Sequence, residues 1–166
     1  MKINVSVTDN FKIDLKNKSF VLELKKLLFN TAIQVQNEAR TLVQTGTRSG
    51  RAYVRRSQDS PRIYVDKVKR PETIAGLPKT IASAKGEPPK TDTGRLVNTI
   101  NIDGSVKEDG GGSPYVIIKA GGGAVNYAAK LEDELNRPYM TPASKKGLDF
   151  FKKNINNIVK RAYDSK

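Results

Sequence analysis

The sequence predicts an α+β fold: an antiparallel sheet packed against a long N-terminal helix and a C-terminal helix, with an extended hairpin or loop arm. Three observations carry this. Apolar residues recur every three or four positions over residues 20–44 and again over 142–163, which is helical spacing. Between those stretches, short runs rich in valine, isoleucine and tyrosine alternate with Gly- and Pro-rich turns. At 166 residues with a 37% apolar share, the chain suits a single domain spanning 1–166 with a modest core.

In chain order, Met1–Thr8 alternates apolar and polar residues as a half-buried strand does, and Phe11, Ile13 and Leu15 continue the pattern. Ser19 is placed to cap the helix that follows. Phe20, Leu24, Leu27, Leu28, Ile33, Val35, Ala39, Leu42 and Val43 form its apolar stripe, and Gly46 ends it. Residues 46–91 lose this period and are punctuated by glycine and proline, so they read as an extended arm. Within it, residues 51–56 and 62–68 are expected to pair as a hairpin, and 70–90 to form an extended loop or a short helical turn around 80–84.

Pro88 and Pro89 hold an extended approach to Asp92. Its carboxylate is expected to cap a short helix by accepting from the N–H groups of Gly94 and Arg95, with Leu96, Val97 and Ile100 on one face. Residues 101–107 and 115–120 read as two strands, and 124–135 permits a strand or a short helix. Arg137 and Pro138 break that segment, and Pro142 sits in the first turn of the last helix.

The chain has no cysteine and no histidine, which excludes disulfides, thiolate metal sites, cysteine nucleophiles and imidazole chemistry. No apolar run is long enough to span a bilayer, and the opening residues lack a signal-like apolar block, so the expectation is a protein made in the cytosol without membrane contact. The net charge of +13 is uneven, with residues 46–95 at +7 and residues 96–141 at −2. That imbalance points to an acidic partner or nucleic acid, or to a solvated lysine-rich surface. Tyr53, Arg55, Arg56, Arg62 and Tyr64 could grip phosphates and stack on bases, or hold an acidic neighbouring subunit, and protein contact is the favoured of the two.

Asp92-Thr93-Gly94 matches an aspartic-protease half-site, but that chemistry wants the Asp after an apolar strand, and here prolines precede it. Glu132, Asp133 and Glu134 read as a solvated acidic patch or a docking patch for a basic neighbour. The two glycine triplets lack a following Gly-Lys-Ser/Thr, so neither is a phosphate loop. No catalytic constellation, cofactor site or metal site emerges, and the expectation is no enzyme.

The order of motifs is a long helix, Gly50-Arg-x-Tyr53, Ala82-Ser-Ala-x-Gly-Glu-Pro-Pro89, Asp92-Thr-Gly-Arg-Leu96, two strands, Tyr127-Ala-x-x-Leu-Glu132, Arg137-Pro-Tyr-Met-x-Pro-Ala143 and a C-terminal helix. Over residues 18–163 this resembles the head–tail joining, or tail-completion, proteins of long-tailed bacteriophages. Two departures stand out: Asp133-Glu134-Leu135-Asn136 replaces that family's Gly-Thr, and Tyr139 stands for a Phe. The resemblance implies a structural virion protein of the neck. It would be assembled in the host cytoplasm as a homo-oligomeric ring between the portal-side adaptor and the tail terminator or tail tube. Packaged DNA would pass close by, without specific readout. The alternative from another class is a basic nucleic-acid-binding module.

Overall fold

The computed structural model describes residues 18–57, 60–123 and 125–164. The strand readings over residues 1–15 lie outside them. The architecture is α+β, with two long helices and small antiparallel sheets. Its contacts divide into two compact units. Unit 1 draws on Met1–Ala39, Ile100–Ala120 and Met140–Lys166, and unit 2 on Arg40–Thr99 and Gly121–Tyr139.

Unit 1 is built on α1 (Lys18–Thr45), whose last residues belong to unit 2, and on α4 (Met140–Asp164). The helix already includes Lys18 and Ser19, so Ser19 lies in the first turn instead of capping it, an offset typical of helix ends. Phe20, Leu24, Leu27, Leu28, Phe151 and Ile158 form one buried cluster, with Val106, Phe150, Ile155 and Val159 packed against it. Ion pairs join Glu23 to Arg161 (3.4 Å) and Glu38 to Lys146 (2.5 Å), so the two helices run antiparallel. Between these pairs the helices come close at Gly147: a Cβ there would stand 2.2 Å from Val35 Cγ2. Only glycine permits that approach.

The hairpin of unit 1 is interrupted. β4 (Asn101–Ile102) pairs with β7 (Ile118–Lys119), and β5 (Lys107–Glu108) with β6 (Pro114–Tyr115). Four residues, 103–106, face only two, 116–117, so the ladder bulges. Asp103 fills the bulge, reaching Lys119 (2.6 Å) and Lys107 (3.7 Å), and these ammonium groups hold its carboxyl below the ordinary range.

Unit 2 centres on a three-stranded sheet ordered β2 (Ile63–Tyr64), β1 (Ala52–Val54), β3 (Lys79–Ile81). β1 and β2 pair antiparallel as Tyr53↔Tyr64 and Val54↔Ile63. β3 falls within the stretch read from the sequence as an extended loop or a short helical turn around 80–84. Its pairing Ala52↔Ile81 and Tyr53↔Thr80 supplies ladder bonds that local periodicity does not show. Gly50 lies so close to this strand that a Cβ would sit 2.6 Å from the Ser83 carbonyl oxygen. The Pro88-Pro89 segment runs along the end of α1: Thr91 N–H donates to the Val43 carbonyl (2.8 Å), and the Lys90 ammonium donates to the Gln44 carbonyl. A cation at a helix C-terminus satisfies open carbonyls and suits the dipole. Two short helices complete the unit, α2 (Arg95–Asn98) and α3 (Ala128–Asp133).

Candidate functional site

Strand alternation brings the aromatic and cationic residues of the hairpin onto one face of the sheet. Residues 51, 53 and 55 of the first strand face 62 and 64 of the second, as the Tyr53↔Tyr64 register requires. The Tyr53 and Tyr64 rings meet edge to face, with centroids 6.2 Å apart. Arg51 lies over Tyr64 (4.5 Å), while Arg62 (4.6 Å) and Arg55 (5.8 Å) attend Tyr53. Arg51 also grips Asp66 through both carboxylate oxygens, at 2.7 and 2.6 Å, which holds the Asp66 carboxyl below its usual range. Arg56 stays exposed beside this ladder.

Asp92 anchors the ladder and does not cap the helix. Its Oδ2 accepts the Tyr53 hydroxyl at 2.7 Å and lies 3.1 Å from Arg55 and 3.8 Å from Arg62. Burial, then the bond to Asp92, pushes the Tyr53 hydroxyl pKa up. The turn before α2 is held by Thr91, whose hydroxyl accepts the Gly94 N–H (3.1 Å). Gly94 itself takes a left-handed conformation (φ 75°) as the N-cap. The physical reason is competition: two guanidiniums and a phenol offer Asp92 more than the amides of a four-residue helix. Leu96 is buried beneath this turn and Arg95 is exposed.

A second carboxylate joins two motifs. Glu132 is buried, and its Oε2 accepts the Tyr139 N–H at 2.9 Å. It therefore does not belong to a solvated acidic patch; only Asp133 and Glu134 remain exposed there, with Glu134 paired to Lys130 (3.4 Å). Its position was legible, because Ala128, Leu131 and Glu132 share the buried face at helical spacing. Tyr139 is 1% exposed, and burial with the nearby Glu132 charge pushes its pKa far up. Between these residues Asn136 takes a positive φ of 46°, and its carbonyl accepts the Gly86 N–H (2.6 Å). Asparagine tolerates that conformation better than most residues. Pro138 is half-buried, and Pro142 lies in the first turn of α4.

A third carboxylate had no assigned role in the sequence. Glu87 accepts from the Thr47 hydroxyl, the Ser49 hydroxyl (2.5 Å) and the Ala84 N–H (3.0 Å), and these donors hold its carboxyl low. The sequence signal was the Glu before Pro-Pro, but its two hydroxyl donors lie about forty positions away.

These elements enclose a cleft of about 420 Å³ in unit 2. Its walls carry six cationic side chains (Arg48, Arg55, Arg62, Lys90, Arg95 and Arg137) and one carboxylate, Asp92. Three exposed apolar side chains share it: Ile81 (43%), Tyr127 (38%) and Leu135 (42%). The Arg137 Nε is buried without a hydrogen-bond partner among the described residues. Such a cleft can hold an anionic group beside an apolar one. Among the described residues, no group of three or more potential metal ligands is gathered. Comparison with protein families, curated proteins and solved structures gives no match.

Proposed function

We propose that this chain is a structural subunit of a bacteriophage neck, one copy of a homo-oligomeric ring that joins the DNA-filled head to the tail. One observation carries the reading. The motifs shared with head–tail joining proteins are scattered over ninety positions, yet Tyr53, Ala82, Pro89, Asp92–Leu96, Tyr127, Leu131 and Arg137 all line one cleft. Motifs that converge this way act as a unit. The neighbours of the ring would be the portal-side adaptor and the tail terminator or tail tube, and the reading assigns no catalysis and no cofactor. The hairpin arginines Arg55 and Arg62 are drawn into the Asp92 cluster, which favours a structural role over the phosphate-gripping one.

The test is electron microscopy of lysates from a phage lacking this gene. Filled heads beside separate, finished tails are expected. Normal infectious particles would overturn the reading.

A further inference from the structure

We propose that β3 is a docking edge, to which an extended acidic segment of a partner protein adds as a fourth strand. β3 ends the sheet, since the order is β2-β1-β3. Its inner side is committed: Ala82 N–H donates to the Arg51 carbonyl (3.0 Å), and the Ala82 carbonyl accepts from Gly50 N–H (2.8 Å). Alternation then turns the backbone groups of Ile81 toward the open side. Beyond its place in the ladder, Ile81 has no backbone hydrogen-bond partner among the described residues. A flat edge of this kind is a template for a further strand unless it is covered.

The chemistry of the occupant follows from what stands beside the edge. Thr80, Ile81, Ala82 and Ser83 form one wall of the cationic cleft. Arg48 has no ion-pair partner among the described residues, and the buried Arg137 Nε lacks an acceptor. Glu87 already lies within electrostatic reach of Arg137, so the carboxylates that the incoming strand brings answer chiefly Arg48 and the open Arg137 Nε. That strand must also bring apolar side chains, because Ile81, Tyr127 and Leu135 lie exposed along the same cleft. The register sets Ile81 on the opposite face of the sheet from the Tyr53–Thr80 pair and the hairpin arginines, so a strand alternating acidic and apolar residues meets both, one set on each face. A nucleic acid would satisfy the arginines but has no backbone donors and acceptors to match a sheet edge. The inference stands on this groove alone, whether or not the neck reading holds.

The probe is a fluorescent, end-capped peptide of alternating glutamate and valine, measured by anisotropy at physiological salt. Saturable binding is expected. N-methylating every second amide, those facing β3, is expected to weaken it about tenfold, the loss of two or so backbone hydrogen bonds. This control leaves the protein untouched. Arg137→Gln and Arg48→Gln are each expected to weaken binding several-fold, and the exposed Arg48 can be changed without disturbing the interior. Equal binding of the methylated peptide would overturn strand addition. Displacement of the peptide by oligothymidylate would overturn the acidic-peptide assignment. Oligomers of the chain that the peptide disperses would hand the edge to a second copy, overturning the partner assignment.

Discussion

In unit 1 the interior is filled by side chains: Phe20, Leu24, Leu27, Leu28, Phe151 and Ile158 close on one another, and the ion pairs lie at the periphery. In unit 2 three carboxylates, of which only Glu132 is buried, tie loops and strands together. Asp92 takes Tyr53, Arg55 and Arg62, Glu87 takes Thr47, Ser49 and Ala84, and Glu132 takes Tyr139. The difference follows from element length. Helices of 28 and 25 residues bury long apolar stripes, whereas strands of two or three residues cannot, so loops are fixed by charge-assisted hydrogen bonds.

Substitutions at five positions would break or sharpen that contrast. Phe151→Ala should cost about 3–5 kcal/mol by leaving a cavity in unit 1, read from urea unfolding. Gly147→Val should cost roughly 1–3 kcal/mol or more, because Val35 is β-branched and cannot swing away from the new side chain. A loss as large as that of Phe151→Ala from a single carboxylate in unit 2 would show that polar anchors there match apolar packing. Asp92→Ala is expected to cost about 1–3 kcal/mol, by stranding the part-buried Tyr53 hydroxyl and its two guanidiniums. Asp92→Asn, which keeps an acceptor, should cost less.

Glu87 gives the contrast a pH axis. Its pKa is lower in the folded protein than in the unfolded chain, so its contribution is present above the ordinary carboxylate range and is lost as pH falls through the folded value. The melting temperature of the parent should therefore fall more steeply below about pH 4 than that of Glu87→Gln. Equal slopes would remove Glu87 as an anchor. The smallest effect belongs to Lys146→Ala, which breaks an exposed pair at the rim of unit 1 and should cost under about 0.5 kcal/mol.

What the sequence disclosed follows the same divide. The stripes of α1 and α4 are local signals, and both helices form within two residues of their expected starts. The paired strands of 51–68 were also visible, because valine, isoleucine and tyrosine alternate there. β3 was hidden because Lys79-Thr80-Ile81 has no pattern of its own and is a strand only through β1. Asp92 was seen as important but given the wrong partners. A cap two residues away and a tyrosine 39 residues away look alike until the chain folds. Glu132 was grouped with the two exposed acids that follow it, although its spacing from Ala128 and Leu131 sets it on the buried face.

The antiparallel pairing of α1 with α4 also has a consequence for synthesis. Glu38 and Lys146 are 108 positions apart. At ribosomal speeds of about 5–20 residues per second, the apolar stripe of α1 waits roughly 5–20 s for the helix that covers it. The nascent chain thus carries its stickiest surface first and shields it last. A product halted before Met140 would keep that stripe bare, marking it for chaperones and proteases before it could join an assembly.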